Sequence, residues 1–351
     1  MDVIFNGQAQ GSVASTLLQN NFDVHSMRPF VENGRQYINQ VVNGKLKAIP
    51  MVGNATATLR KDEWKLLDDA VVKAAKPRLK AVGDLRGSGL TYTLPNGMAK
   101  TILETETQSD INDAIISMDA LREGANDRPL YELTSLPLPI IHKDFSFSAR
   151  QIATSRNGGS PLDTTMASLA ARKVAETAEK LLIGSYGTYA FGGGTIYGYI
   201  NYPNSIAGTV TAPTSSGWTG ATLLGEILAM RQSSIDAYHY GPWKLYMGTG
   251  WLRYLDEDYS SAKGDNTVRS RIAAIDGIQS VSTLDYLTGY KVLLVQQTSD
   301  VIREVIGMDI TTVQWETHGG LLQHFKVMAI MVPQLRCDQN GNTGLVYATG
   351  A

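Results

Sequence analysis

A helical pattern of apolar positions runs from about residue 160 to residue 184. Ser160 suits the N-cap, Pro161 the first helical position, and Gly184 the C-terminal end of this helix. The apolar stripe is narrow and consists mostly of small side chains: Leu162, Met166, Leu169, Ala170, Val174, Ala178, Leu181 and Leu182. A stripe this thin predicts a helix that packs against a thin layer, because a thick core requires a wider apolar face.

The segment before this helix divides into two parts. Residues 1–60 show little sustained period and are rich in Asn, Gln, Gly and Val, which indicates an extended arm that gains order by docking on another surface. Residues 60–83 have the spacing of a helix, with Trp64, Leu67 and Val71 on one face and Pro77 as its limit.

A polar two-stranded ribbon is predicted from Ala81 to Gln108. Two strand-like runs flank Asn96-Gly97, which is a strong hairpin signal. An isolated two-stranded ribbon is only marginally stable in water. We therefore expect this ribbon to lie on a surface that belongs to another molecule.

The rest of the chain alternates between helices and strands. A short helix is predicted at 110–124, and a strand around Phe145 and Phe147 leads towards the long helix. From residue 219 the patterns predict a compact α/β lobe, with helices at 219–237, 250–259 and 267–276 and strands at 243–250, 289–297 and 301–308. A long apolar strand follows at 325–332.

Composition excludes several broad classes of function. The 351 residues carry a formal net charge of −2 at pH 7, so no global field attracts nucleic acid or an anionic membrane. The single cysteine, Cys337, leaves no partner for an intramolecular disulfide and fits a reducing compartment. With no apolar run of about 18 residues and no secretory signal, we expect a soluble protein made inside the cell.

The residues that usually carry chemistry form no catalytic pattern. The five histidines and Cys337 lack zinc-site spacing, so we predict no metal and no cofactor. The sequence FGGGTIYG lacks the ending of a phosphate loop, and no Gly-x-Ser-x-Gly motif occurs. The basic run from Lys73 to Lys80 is interpreted as the polar face of a helix, although such residues could also contact phosphate. We expect no enzymatic activity.

Four stretches in this order resemble the Hong Kong 97 fold of tailed-phage major capsid proteins and encapsulins, with the closest likeness to the encapsulin-like (linocin-type) branch. They are EWKLLDDAVVKAAKPRL, SLPLPIIHKDFSFSARQI, PLDTTMASLAARKVAETAEKLLIGS with FGGGTIYGY after it, and PWKLYMGTGWLRYL. The likeness covers roughly residues 61–345 and depends on the order of several local motifs. The simplest encapsulins begin near the first helix, so the additional 60 residues before it favour a phage capsid protein.

The resemblance implies an α+β chain with five parts. These are an N-terminal arm (1–60), a peripheral domain (61–80 and 109–218) with a spine helix at about 160–184, an extended loop or E-loop (81–108), an α/β axial domain (219–310), and a return to the peripheral domain (311–351). The E-loop is expected to contact a neighbouring subunit through Arg86, Tyr92, Asn96, Gly97 and Lys100. The loop expected at the five-fold and six-fold axes contains Asp258, Ser260, Lys263 and Asp265, and the spine helix carries Arg172, Lys173, Glu176 and Lys180.

The function implied is that of a structural subunit that assembles into the pentamers and hexamers of an icosahedral phage head enclosing double-stranded DNA. Its partners would be other copies of itself, a portal protein, a separate scaffold or decoration protein, and DNA contacted without sequence specificity, with no membrane. It would be made in the bacterial cytoplasm and reside in the virion capsid. Two alternatives remain open: an encapsulin-type shell around a cargo enzyme, and a soluble α+β enzyme.

Overall fold

The computed structural model has an α+β fold. It describes residues 4–5, 8–9, 30–32, 35–42, 45–51, 59–75, 79–108, 116, 118, 128, 131–157, 164–259, 266–338 and 340–350. The α-helices of this part of the chain are α1 (Lys61–Ala75), α2 (Lys80–Gly87), α3 (Ala149–Asn157), α4 (Thr165–Ile183), α5 (Gly220–Asp236), α6 (Leu252–Leu255) and α7 (Val268–Ala273).

The strands divide between short ribbons and two larger sheets. The first eight are β1 (Ile4–Phe5), β2 (Gln8–Ala9), β3 (Phe30–Glu32), β4 (Arg35–Val42), β5 (Lys45–Met51), β6 (Thr91–Thr93), β7 (Ile102–Gln108) and β8 (Tyr131–Pro137). The others are β9 (Ile141–Ser148), β10 (Tyr189–Phe191), β11 (Gly194–Ile196), β12 (Ile206–Val210), β13 (Trp243–Met247), β14 (Ile278–Thr283), β15 (Lys291–Gln296), β16 (Ile302–Thr317), β17 (Leu322–Leu335) and β18 (Leu345–Gly350).

The chain forms two compact units. Unit 1 comprises Met1–Thr101, Leu138–Tyr186 and Arg303–Pro333, and unit 2 comprises Ile102–Pro137, Gly187–Ile302 and Gln334–Ala351. Residues 187–218 and strand β18 belong to unit 2, and the division into peripheral and axial domains at 219 and 311 stays a prediction.

Unit 1 is built around the sheet β6-β16-β17-β9 and the helices α1 and α4. Its centre is aromatic: the ring of Phe325 stacks on Phe145 with centroids 5.1 Å apart and meets Phe147 and Trp64 edge-on at 5.6 and 5.9 Å. Such ring pairs add about 0.5–1.5 kcal/mol each beyond the area that they bury. The predicted apolar strand at 325–332 is confirmed within β17.

The spine helix α4 begins at Thr165, so the predicted cap at Ser160 is wrong; residues 160–163 themselves lie outside the described residues. Its end at Gly184 is confirmed, since Gly184 has a φ of 94° and its N–H donates to the carbonyl of Lys180. Met166 and Leu169 are exposed, and five of the eleven buried residues of the helix are alanines. Small side chains allow α1 to pack closely against α4.

Unit 2 contains the predicted α/β lobe. Its sheet has the order β12-β18-β15-β13-β14, and α5 and α7 contribute Leu223, Ile227 and Ile272 to the core beside it. The predicted helices at 219–237 and 267–276 correspond to α5 and α7, and the predicted strands at 243–250 and 289–297 correspond to β13 and β15. The turn at Asn340-Gly341 connects β17 to β18, which lie in different sheets.

The predicted hairpin around Asn96-Gly97 is wrong. Residues 80–87 are helical as α2, β6 pairs in parallel with Glu304–Ile306 of β16, and β7 pairs with β8. Asn96 does adopt the left-handed conformation typical of such turns, with a φ of 54°, but it leads into a single 3-10 turn at Gly97–Ala99. The real two-stranded ribbon is β7–β8, and most of the segment that joins its strands, including the predicted helix at 110–124, lies outside the described residues.

The interpretation of residues 1–60 as one extended arm is wrong for its described part. Strands β3, β4 and β5 form a three-stranded antiparallel sheet, and Phe30 is buried against Tyr37. The N–H of Val31 donates to the carbonyl of Leu59 at 3.1 Å, which ties this sheet to the segment before α1. In the part of the chain that the structure describes, no helix is both long and apolar enough to cross a membrane.

Candidate assembly surfaces

In the β7–β8 ribbon, strand β7 alternates between a half-buried covered face and an exposed open face, whereas residues 131–134 of β8 are all exposed. Along β7, Leu103, Thr105 and Thr107 are half-buried, whereas Glu104, Glu106 and Gln108 are exposed. The covered face is held inside unit 2, since the amide of Gln334 donates to the hydroxyl of Thr105 at 3.3 Å. Alternation of this kind means that every second side chain of the ribbon points away from its own subunit.

The open face combines acidic with large apolar side chains. Leu133 lies directly opposite Glu106, and Tyr131 lies opposite Gln108, so their side chains share the open face. Leu133 is 63% exposed and Tyr131 is 62% exposed. Such exposure of neighbouring large apolar groups marks an interaction site when it recurs on one surface. Sequence reasoning missed this face, although the alternation in ILETETQ is the signal that indicates it.

The base of the ribbon is fixed by the β10–β11 hairpin. Gly194 lies so close to the backbone of Ser135 that a Cβ atom there would collide with its carbonyl, and Gly192 lies equally close to the side chain of Ile102. The hairpin itself exposes Phe191, of which 53% is accessible, and Tyr189. Among the described residues, these close approaches hold the part of the ribbon around Ile102 and Ser135.

The residues predicted to lie on the ribbon are located elsewhere. Arg86 lies on α2 and Gly97 is buried, packed against Gly307 of β16, so neither belongs to an exposed ribbon. Tyr92 is exposed on β6 with the guanidinium of Arg303 4.5 Å from its ring centroid. Asn96 is half-buried in the turn and Lys100 is exposed just before β7. Their contact with a neighbouring subunit stays a prediction.

Arg86 connects α2 to strand β16 through two carboxylates. Its Nε lies 2.8 Å from Oε2 of Glu304 and its Nη1 lies 3.2 Å from Oδ1 of Asp309. Burial disfavours the charge of Arg86, but the carboxylates of Asp309 and Glu304 outweigh this and raise its pKa. Burial also raises the pKa of Glu304, against the lowering effect of Arg86. The arrangement holds α2 to the sheet of unit 1.

Glu179 of the spine helix connects α4 to the start of α2. Its Oε1 accepts a hydrogen bond from the N–H of Ala81 at 2.7 Å, and its Oε2 accepts one from the N–H of Val82 at 3.2 Å. The first N–H groups of a helix have no partner within the helix, so an incoming carboxylate satisfies two of them. Burial is the largest influence on this carboxyl and raises the pKa of Glu179 to about 7, although the two backbone hydrogen bonds lower it.

The charged residues predicted on the spine helix form a local cluster. Nζ of Lys173 lies 2.9 Å from Oε2 of Glu176, and Nε of Arg172 lies 3.5 Å from Oε1 of the same carboxylate. Lys180 is half-buried one turn further along. The two cations are largely exposed, but the Glu176 side chain is only 10% exposed, so the cluster lies at the border between the buried and the solvated face of α4.

The loop predicted at the symmetry axes has a closed base in unit 2. Asp258 pairs with Thr267 in an isolated β-bridge, and the N–H of Tyr259 donates to the carbonyl of Asn266 at 2.9 Å. The guanidinium of Arg269 lies 3.1 Å from the carboxylate of Asp256 beside this bridge. These contacts bring the two ends of the segment between α6 and α7 together. Ser260, Lys263 and Asp265 lie outside the described residues.

A search of the described side chains for three or more His, Cys, Asp or Glu residues that could hold one metal ion finds no such group. The candidate functional features of the described residues are the open face of the β7–β8 ribbon, the base of the loop between α6 and α7, and the polar contacts of α2.

Comparison with known proteins identifies one family and one fold. A family model described as "Family of unknown function (DUF6260)" matches residues 54–348. No curated protein matches the sequence. Three similar solved structures are a virus-like particle from Pyrococcus furiosus, the capsid of Myoviridae phage XM1, and a structure of Mycobacterium phage Bobi.

The similarity to these structures is in the fold. The virus-like particle has a TM-score of 0.57 and 15% identity, and the match covers 81% of this chain and 98% of that chain. The phage XM1 capsid has a TM-score of 0.57 and 12% identity, with 76% and 91% covered. The phage Bobi structure has a TM-score of 0.53 and 10% identity, with 76% and 90% covered. The predicted Hong Kong 97-type α+β fold is confirmed.

Proposed function

We propose that this chain, which belongs to the DUF6260 family of unknown function, is the major capsid protein of a tailed phage. The observation that carries the proposal is the fold that it shares, over most of its length, with a virus-like particle and a phage capsid. A chain of this fold acts by mechanical means: copies of it form pentamers and hexamers that close into an icosahedral head around double-stranded DNA. No catalytic step belongs to this role.

The open face of the ribbon is the first inter-subunit contact. Leu133 and Tyr131 present apolar area that their own subunit leaves in water, and burying a side chain of that size contributes about 1.5–3 kcal/mol. In a shell, a neighbouring copy of the chain covers this open face at every position. Specific interfaces of this kind bury more than about 1,000 Å² in total.

The segment between α6 and α7 is the second contact. In a ring of five or six subunits, like copies of this loop meet at the axis, where small polar residues can crowd together without burying apolar groups. Asp258, Lys263 and Asp265 carry opposite charges that can pair around the ring. Heterologous contacts of this type close into rings when the rotation allows it.

The remaining partners follow from the role of the shell. The head is completed by a portal protein, any scaffold or decoration protein is a separate chain that the shell does not require to close, and the inner surface contacts DNA through charge and not through sequence. The protein is made in the bacterial cytoplasm and resides in the virion. The alternative function is an encapsulin-type compartment, which the similarity to the Pyrococcus furiosus particle supports; packaged DNA or an enriched cargo protein distinguishes the two.

A ribbon variant tests the proposal. Tyr131→Ser combined with Leu133→Ser should leave the fold intact, because both side chains are largely exposed, but should prevent shells from forming. Thr134→Ser, at an exposed position on the opposite face of the same strand, is the matched control and should assemble normally. Electron microscopy and sedimentation of the three proteins give the result. Normal shells from the double variant would mean that the open face of the ribbon is not part of the interface. A wild-type chain that forms no shells would contradict the proposed function itself.

A further inference from the structure

Two histidines meet through one hydroxyl group at the turn that joins β16 to β17. Oγ1 of Thr317 lies 2.9 Å from Nε2 of His324 and 3.1 Å from Nδ1 of His318. The two ring nitrogens therefore cannot be further apart than the sum of these distances. The pair is six residues apart in the sequence, a spacing that matches no standard zinc motif, so only the fold brings it together.

A separate local feature positions each of the two rings. His318 has a φ of 54°, in the left-handed region that is uncommon outside glycine, and Gly319 continues the turn with a φ of 64°. Residues held in such a conformation cluster at ligand-binding sites. The ring of His324 stacks on the indole of Trp315, with centroids 5.2 Å apart and an angle of 10° between the planes. The turn thus presents one imidazole and the stacking presents the other.

The charged groups around this histidine pair are engaged with other partners. Nζ of Lys326 lies 5.5 Å from the ring centroid of Trp315, and it pairs with the carboxylate of Asp144 at 3.7 Å. The carboxylate of Glu316 accepts a hydrogen bond from the amide of Gln323 at 3.4 Å. Neither carboxylate is counted as a ligand, which agrees with the search for groups of three ligand residues among the described side chains. An ion held by the pair would therefore have two protein ligands and complete its coordination with water.

We propose that His318 and His324 chelate one divalent transition-metal ion of the class that imidazole prefers, which comprises Cu²⁺, Ni²⁺ and Zn²⁺. Imidazole nitrogens bind Zn²⁺ at about 2.0–2.1 Å, so the ion takes the place of the Thr317 hydroxyl between the two rings. That hydroxyl has one proton to donate, so at least one ring donates its own N–H to Oγ1. On binding, this proton moves to the other nitrogen of the same ring. The site concerns the single subunit and does not depend on the proposed function.

Calorimetric titration of the full chain with NiCl₂ or ZnCl₂ tests the site. The protein is purified without a histidine tag and titrated at pH 8, because ligand nitrogens must be unprotonated. One ion should bind per chain. His318→Asn, which tolerates the left-handed backbone, and His324→Gln should each raise the dissociation constant at least about 10-fold, since loss of a residue that only supports a ligand already costs about 10–100-fold. His142→Gln is the matched control: His142 is exposed on β9, 3.7 Å from the carboxylate of Asp144, and its loss should leave binding unchanged.

The emission of Trp315 gives a second measurement that does not require a variant at either histidine. Cu²⁺ quenches the fluorescence of an indole that it approaches closely, and Trp315 stacks on His324, whereas Trp64, Trp243 and Trp251 are buried. CuCl₂ should therefore quench part of the emission of the wild-type chain with a saturating curve. Trp315→Phe should lack this part of the quenching and still bind Ni²⁺.

Three outcomes would overturn the proposal. The first is a wild-type chain that binds none of these ions, which would mean that the contacts of Thr317 are hydrogen bonds and nothing more. The second is unchanged affinity in His318→Asn and His324→Gln. The third is loss of binding in His142→Gln, which would assign the ion to His142. If either histidine variant does not fold, the quenching of Trp315 in the wild-type chain decides the question. Neither measurement requires a shell, so their failure and the failure of the proposed function are separate results.

Discussion

Arg86 and Glu304 form a buried ion pair, with Nε and Oε2 2.8 Å apart and only 3% of the Glu304 side chain exposed. Arg86→Ala leaves that carboxylate in the interior without its cation. Loss of one partner of a buried pair costs about 3–5 kcal/mol. We therefore expect the free energy of unfolding of the full chain, measured by urea denaturation, to fall by an amount in this range.

The control for this change is Arg253→Ala. Arg253 also pairs with a carboxylate, that of Glu257 at 3.4 Å, but both side chains are exposed and lie one turn apart on the lobe. Such a pair contributes about 0.3–0.5 kcal/mol. Equal losses from the two substitutions would mean that burial does not set the strength of the Arg86 contact.

Two glycines of unit 1 should respond in opposite directions to alanine. A Cβ at Gly97 would collide with the backbone of Gly307, whereas a Cβ at Gly83, in the middle of α2, meets no atom within 4 Å. Gly97→Ala should therefore destabilise the fold by about 1–3 kcal/mol. Gly83→Ala should stabilise it by about 0.5–1 kcal/mol, since alanine is the better helix former. Thermal unfolding of the two variants measures both signs, and a stabilising Gly97→Ala would contradict the close approach of the two backbones.

Neighbouring serines on α5 provide a similar contrast in unit 2. The hydroxyl of Ser234 donates to the carbonyl of His239 at 3.2 Å and accepts from the indole N–H of Trp243 at 3.1 Å, and all three residues are buried. Ser234→Ala leaves both groups unsatisfied and should cost about 1–3 kcal/mol. Ser233→Ala, at a half-exposed position, should change stability by less than about 0.5 kcal/mol. Chemical denaturation that gives equal values for the two variants would argue against the Ser234 network.

The loop of the lobe should respond to salt. Lys263→Glu converts an opposite-charge pattern into a repulsive one wherever like loops meet at an axis. Repulsion between exposed charges is screened over about 10 Å at 0.1 M salt, so assembly should be impaired more at low than at high ionic strength. Light scattering during assembly at two salt concentrations measures this, and an unaffected variant at low salt would place the loop away from the axis.

Local patterns in the sequence predicted the elements that are stabilised locally. The end of α4 at Gly184, helix α5 and strand β15 correspond to the predicted positions because caps and apolar periodicity lie within each segment. Which strand pairs with which could not be predicted in the same way. The signal at Asn96-Gly97 is a real turn, but β6 pairs with β16, more than 200 residues away, and no local feature of the sequence encodes that register.

The polar contacts of α2 were missed for the same reason. Glu179 has the appearance of one more charged residue on the solvated face of a helix, but it is buried and accepts a hydrogen bond from α2, 98 residues away in the sequence. The open face of the ribbon was also missed, but in this case the sequence does contain a local signal, because the exposed positions of β7 alternate along it. Pairing with β8 adds the two large apolar side chains, Tyr131 and Leu133, that make this face an interaction surface.

We expect copies of this chain to build a closed shell. Electron microscopy of the purified protein, expressed without any other phage protein and examined across a range of concentration and salt, is the direct test. The images should show closed particles with five-fold and six-fold rings of subunits, in which the β7–β8 ribbon lies on a neighbouring copy. A homogeneous population of single chains under every condition would contradict it.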